Sequence, residues 1–257
     1  MDVDFGRAAK DYARYRAGFP DSFFARLSSV DLAGPGRRAL DLGTGTGTVA
    51  RGLARLGCET TGLDPSEALL AEAKRLDAEA GVRVRHIVAK AEATGLPDAS
   101  FDLITAGQAW HWFDRPRAAA ESRRLLAAGG ALVIAHFDWI PLPGNIVEET
   151  ERLIEKHNPG WKLGGGTGLH PAWLADVALA GFAGIETFSF DQPVSYSHEA
   201  WRGRIRASAG ISASLAPDAV QRVDAELRQL LAGRFPHDPL AVPHRVFAVV
   251  SRKPQRG

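Results

Sequence analysis

Residues 39–50, Ala39-Leu40-Asp41-Leu42-Gly43-Thr44-Gly45-Thr46-Gly47-Thr48-Val49-Ala50, set the frame for the whole chain. Ala39 to Leu42 reads as a short apolar strand, and Val49 to Leu56 has helical spacing, so a glycine turn joins a strand to a helix. Glycines there let the backbone turn sharply and let a ligand approach closely, while the helix N-terminus offers free N–H groups. Gly45, Gly47 and Ala50 satisfy G-x-G-x-x-[GA], and the acid Asp64 follows about twenty residues on. That pattern fits nicotinamide enzymes and other nucleoside binders alike.

Two acids narrow the choice. Asp41 lies at the strand end, on the edge of the turn. Beside a pyrophosphate it would be a like charge in a partly dry site, whereas beside an ammonium and a sulfonium it would be attractive. S-adenosyl-L-methionine is such a ligand; a turn Asp that only caps the helix is the alternative. Asp64, in Gly62-Leu63-Asp64-Pro65-Ser66, can accept hydrogen bonds from both hydroxyls of a ribose. It could instead be the N-cap of the next helix, with Glu67 three residues on.

Outward from the turn, strands and helices alternate. Strands are expected at Glu59 to Leu63, Val82 to Ala89, Phe101 to Thr105, Ala131 to Phe137, Ile185 to Tyr196 and His244 to Arg252, with helices at Pro65 to Ala80, Pro116 to Ala127 and Pro171 to Leu179. With the first strand this makes a doubly wound α/β sheet of seven mostly parallel strands, covered on both faces. The expected organisation is one domain over 1–257, with a core at about 36–138, 171–196 and 241–252. Segments at about 1–35, 139–170 and 197–240 fall outside the alternation and read as helical lid insertions. The glycine-rich stretch 164–168 lacks a Gly-Lys-Ser/Thr ending, so it reads as a lid hinge and not a phosphate loop.

Composition excludes several classes. The 257 residues carry 31 Lys+Arg and 30 Asp+Glu, a net charge of +1, which argues against nucleic acid or an anionic membrane as the main partner. One cysteine, Cys58, forms no internal disulfide, and no basic-then-apolar leader follows Met1, so a cytoplasmic home is expected. No carboxylate cluster shows metal spacing, so no metal is expected. Residues 201–257 hold ten Lys+Arg against four Asp+Glu, which weights the expected small-molecule partner toward an acidic one.

Five stretches then occur in order: 41–47, 62–66, Ala91-Glu92-Ala93-Thr94-Gly95-Leu96-Pro97, Ser100-Phe101-Asp102-Leu103-Ile104 and Leu125-Leu126-Ala127-Ala128-Gly129-Gly130. Together they resemble the motif set of class I S-adenosylmethionine-dependent methyltransferases of the Rossmann-like, small-molecule type 11 group. Tyr12-Ala13-Arg14-Tyr15-Arg16 and Gln108-Ala109-Trp110-His111-Trp112-Phe113-Asp114 further resemble the trans-aconitate methyltransferase-like subgroup. The resemblance implies a methyl transfer to a small organic acceptor. It implies that Gly43, Thr44, Gly45 and Gly47 hold the methionine part with Asp41 near its ammonium. Asp64 and Pro65 would serve the ribose, and Ala91 and Glu92 the adenine edge. Gln108 would face the methionine, and Tyr12 and Arg16 would close over it. Lys90 stands where many relatives have Asp.

Methyl transfer is an in-line displacement that needs collinear placement in a dry pocket and sometimes a base. His111 is the candidate base, or a residue that orients the acceptor. Trp110, His136 and Trp139 are candidate acceptor contacts at the carboxyl edge of the sheet. Arg202 and Arg206 would share a helix face, away from Arg204, and could grip a carboxylate or form a solvated cationic face. A nicotinamide-dependent oxidoreductase and a non-catalytic cofactor-binding protein are the competing readings.

Overall fold

The computed structural model describes Tyr15, residues 17–208, 210–211 and 214–255. Seven strands form one sheet: β1 (Arg38–Leu42), β2 (Glu59–Asp64), β3 (Val84–Val88), β4 (Phe101–Gly107), β5 (Leu126–Trp139), β6 (Ala183–Asp191) and β9 (His244–Arg252), in the order β3-β2-β1-β4-β5-β9-β6. The pairs β1–β2, β1–β4, β2–β3 and β4–β5 are parallel, with Asp41 opposite Gly62 and Thr105. The order reverses between β1 and β4, and it is outside the carboxyl ends of such a pair that an open α/β sheet binds its ligand. β7 (Val194–Tyr196) and β8 (Leu240–Val242) make a separate antiparallel ribbon.

Contacts divide the chain into two compact units. The sheet unit comprises residues 18–137, 170–190 and 246–257; the other comprises 1–17, 138–169 and 191–245. In the sheet unit, α1 (Asp21–Ser29), α2 (Thr48–Arg55), α3 (Glu67–Glu79), α4 (Arg115–Leu125) and α6 (Ala172–Leu179) accompany the strands. Its core joins Leu40, Leu42, Leu63, Ile104, Trp110, Leu132 and Val249, all fully buried. Apolar runs this continuous mark strands covered on both faces. α1 belongs to this unit although its residues lie outside the alternation: the Phe24 ring occupies the space a side chain at Gly52 of α2 would need. In the other unit, α5 (Ile146–His157), α7 (His198–Arg206) and α8 (Pro217–Arg234) surround Trp201, Ile205, Ile211, Val223 and Leu227. The Trp201 indole N–H donates to Thr150 Oγ1 at 3.1 Å, so its one polar atom is satisfied in a dry interior.

Two boundaries differ from the sequence pattern. The stretch read as one strand from Ile185 to Tyr196 breaks at Gln192-Pro193, and its last residues pair with β8 instead of the main sheet, because proline has no N–H for a ladder. β5 begins at Leu126, inside the expected α4, and passes through Gly129 in the left-handed region. Among the described residues no helix is long and apolar enough to cross a membrane.

Candidate cofactor and active site

The site grows from the ends of β1 and β4 in the sheet unit. Gly43, Gly45 and Gly47 all have positive φ. At Gly43 a Cβ would stand 2.6 Å from the Ala109 Cβ, so the backbone passes where no side chain fits. Gly47 is the N-cap of α2, with φ 82° and no side chain of its own to cap it; Ala50 N–H turns to Asp41, which leaves the Thr48 and Val49 N–H groups to an outside acceptor. The loop is tied internally: Thr44 N–H donates to Leu63 O at 2.9 Å, Gly47 N–H to Thr44 O at 2.8 Å, and the Arg51 guanidinium to Thr46 O at 2.7 Å.

Asp41 lies beneath this loop, 2% exposed. Thr105 Oγ1 on β4 donates to its Oδ1 at 2.7 Å. Burial pushes the Asp41 carboxyl up to about 6, against hydrogen bonds from Thr44, Thr105 and the Ala50 backbone that pull it down. Among the described residues no cation acts on this acid to lower its pKa, and a cationic ligand group would favour its ionised form.

Asp64 ends β2 and is also buried. Its Oδ2 accepts from Gly45 N–H and its Oδ1 from Ser66 N–H, both at 2.9 Å. Burial raises its pKa, while these two bonds lower it. The N-cap of α3 is Ser66, whose Oγ accepts from Leu69 N–H, so Asp64 is not the cap. Each of its oxygens keeps a further lone pair for a ligand hydroxyl. Pro65 is exposed beside it.

Ala91 is buried, and Glu92 Oε1 accepts from Asp114 N–H at 2.9 Å, linking the 91–97 loop to the start of α4. The same loop is held by Glu121, whose Oε1 accepts from Thr94 N–H at 3.0 Å and Thr94 Oγ1 at 2.5 Å. Gln108 follows β4 with φ 55°, uncommon for a residue with a side chain. Its N–H donates to Ala135 O at 2.8 Å and its side-chain amide to Phe137 O. A strained backbone held by two bonds at a sheet's carboxyl edge is typical of functional positions.

The aromatic stretch after Gln108 divides in a way its sequence did not show. Trp110 was expected to line an acceptor pocket, but it is fully buried in the core, with its indole N–H on Asp176 Oδ2 at 3.0 Å. The short 3₁₀ turn Trp110–Trp112, with about three residues per turn, turns Trp110 inward and its two successors outward, so Trp112 is 47% exposed and His111 exposed beside it. His111 Nδ1 lies 3.2 Å from Nε2 of buried His136. The His136 ring meets His170 at 4.6 Å, and His170 stacks on Trp173 at 4.1 Å with 4° between planes. The sequence reading missed Thr105 and His170. Only pairing between distant strands and helices reveals them.

Trp139, Arg202 and Arg206 belong to the other unit. Trp139 Nε1 donates to Glu151 Oε1 at 2.8 Å. Arg202 pairs with Asp224 and with Glu199 Oε2 (3.0 Å), and Arg206 with Asp224 Oδ1 (2.5 Å) and Glu199 Oε1 (2.9 Å). Both guanidinium forks are therefore engaged inside the unit, and neither is available to grip a carboxylate as expected. Tyr12 and Arg16 lie outside the described residues.

Fold and site thus define a Rossmann-like α/β protein with a nucleoside-type glycine loop and two buried acids. Residues 40–134 match the family described as methyltransferase domain. A Dictyostelium discoideum protein provisionally named a methyltransferase is 32% identical over 162 residues, covering 61% of this chain and 57% of that protein. The chain thus spans less than two thirds of this relative's length. A structure from Anaeromyxobacter dehalogenans, provisionally described as a type II methyltransferase, is similar at 25% identity and TM-score 0.67, over 94% of this chain and 100% of that one. A Haemonchus contortus phosphoethanolamine N-methyltransferase solved with S-adenosyl-L-methionine shares the fold at 20% identity and TM-score 0.59, over 97% of this chain and 57% of that one.

Proposed function

We infer that the chain transfers a methyl group from S-adenosyl-L-methionine to a small organic acceptor, in the manner of the trans-aconitate methyltransferase-like subgroup. The observation that carries this reading is the buried Asp41 carboxyl under a glycine loop whose following helix has no side-chain cap from its N-cap residue. A dinucleotide pyrophosphate there would meet a like charge, whereas an amino acid places its carboxylate at the helix N-terminus and its ammonium toward the acid. The residues fit the group: Gly43, Thr44, Gly45 and Gly47 for the methionine part, Asp41 for its ammonium, and Asp64 with Pro65 for the ribose. Ala91 and Glu92 serve the adenine edge, and Gln108 the methionine side. When bound, the cofactor supplies an electrophilic methyl on a sulfonium.

His111 is the base or orienting residue for the acceptor. Its Nδ1 is turned to His136, and the His136–His170–Trp173 stack supports that ring from behind. Exposed Trp112 takes the wall role first assigned to Trp110. The basic balance of residues 201–257 favours an acidic acceptor. Parallel titrations with S-adenosylhomocysteine and with NAD test the reading. Binding of the first alone is expected, and binding of NAD alone would overturn it.

A further inference from the structure

α7 carries three arginines at alternate positions, and their surroundings differ. Arg202 and Arg206 share Asp224 and Glu199. Arg204 points the other way. Its guanidinium carbon sits 4.8 Å from the centroid of the Trp139 ring, and its other neighbours are the Tyr196 hydroxyl and, further off, Asp138. Among the described residues no carboxylate comes within the 4.0 Å of an ion pair with it. The side chain as a whole is half-buried.

The environment is aromatic and poor in mobile charge. Tyr196 is 5% and His244 3% exposed, with rings 6.0 Å apart, and Trp139 packs on Trp201 at 5.5 Å. His244 Nδ1–H donates to Val242 O, 3.0 Å away; burial first, and the Arg204 charge in addition, hold its pKa down to about 4, so it is neutral in the cell's pH range. Glu151 is occupied by Trp139 Nε1 and by Gly165 N–H at 2.8 Å each. A guanidinium in such a setting has the Tyr196 hydroxyl beside it but no carboxylate partner for its planar N–H donors.

We propose that Arg204 is an anion-binding residue that takes the carboxylate of a small aromatic or apolar monocarboxylic acid. One positive charge, with Asp138 near and His244 uncharged, matches a monoanion and disfavours a phosphate dianion. Trp139, which is half-buried, offers aromatic surface to the body of such an acid. The site is built from one unit alone and does not depend on the methyl-transfer reading.

The test is titration of the full chain with benzoate, benzamide and inorganic phosphate by calorimetry. Native protein is expected to bind benzoate at least tenfold more tightly than either of the others. R204Q is expected to lose that preference, R204K to keep part of it, and R222Q, on an exposed face of α8, to keep it whole. The urea unfolding midpoint serves as the check on folding. In the native protein, benzoate is also expected to shift the Arg204 Nε–Hε resonance, which decides the matter should R204Q not fold. Equal binding of benzoate and benzamide, a preference that survives in R204Q, or an unmoved Arg204 resonance would each overturn the proposal.

Discussion

Asp41 gives a prediction with a sign and a size. Its carboxyl sits at about 6 in the folded protein against 3.8 as the ordinary value, chiefly because it is buried. The folded state therefore holds this proton to higher pH than the unfolded chain does, so stability falls as pH rises from about 3.8 through about 6. The full difference corresponds to roughly 3 kcal/mol, of which roughly 2 kcal/mol develops between pH 4 and pH 7.5. Asp41→Asn removes the titration while keeping the shape. Urea unfolding of native protein and D41N, without ligand, should show the variant gaining on the native chain as pH rises, with equal m-values. At pH 7.5 a gain of roughly 2–3 kcal/mol would raise Tm by about 4–12 °C for a chain of this size. D41N should bind S-adenosylhomocysteine at least tenfold more weakly, since the ammonium loses its counter-charge. Native affinity should also fall below pH 6, where the ligand must compete with a proton. A D41N–native stability difference that does not vary with pH would refute the burial argument, and undiminished ligand affinity would refute the ammonium assignment.

Asp64→Ala should weaken S-adenosylhomocysteine binding by one to two orders of magnitude, about 1.5–3 kcal/mol, through lost charge-assisted hydrogen bonds and a freed Gly45 N–H; unchanged calorimetric affinity would leave Asp64 a loop tie only. His111→Ala should lower turnover with a labelled methyl donor and leave cofactor affinity nearly intact, and a normal rate would remove it from the chemistry. Gly43→Ala places a methyl 2.6 Å from Ala109 at positive φ, so it should lower stability by roughly 1–3 kcal/mol and impair ligand binding more than tenfold. Trp110→Ala should destabilise by roughly 3–5 kcal/mol, because it opens a core cavity and removes one of the donors to Asp176, leaving Arg115 as the other; a loss of acceptor affinity with stability unchanged would restore Trp110 to the pocket.

Local pattern carried much of the fold and the cofactor loop. Periodicity of two and of 3.6 locates β1 to β4 and their helices within a few residues, and glycines at 43, 45 and 47 mark the turn because only they tolerate its backbone. Asp64 was recognisable because strand, acid and loop occur within one βαβ unit.

What remained hidden depended on distance and direction. Thr105 reaches Asp41 across 64 residues, and His136 reaches His111 across 25, through strand register that no short window contains. Trp110 and Trp112 are alike in sequence and opposite in burial, because a 3₁₀ turn sets which one faces the core. On α7, helical spacing separates Arg204 from Arg202 and Arg206, but the partners were beyond its reach. Asp224 on α8 and Glu199 engage the pair expected to bind an anion, and leave that capacity to the arginine on the other face. The sequence by itself determined where a nucleoside-type loop forms, since turn geometry is local. Only the tertiary structure decided which charges are neutralised, since ion pairing depends on which elements pack together.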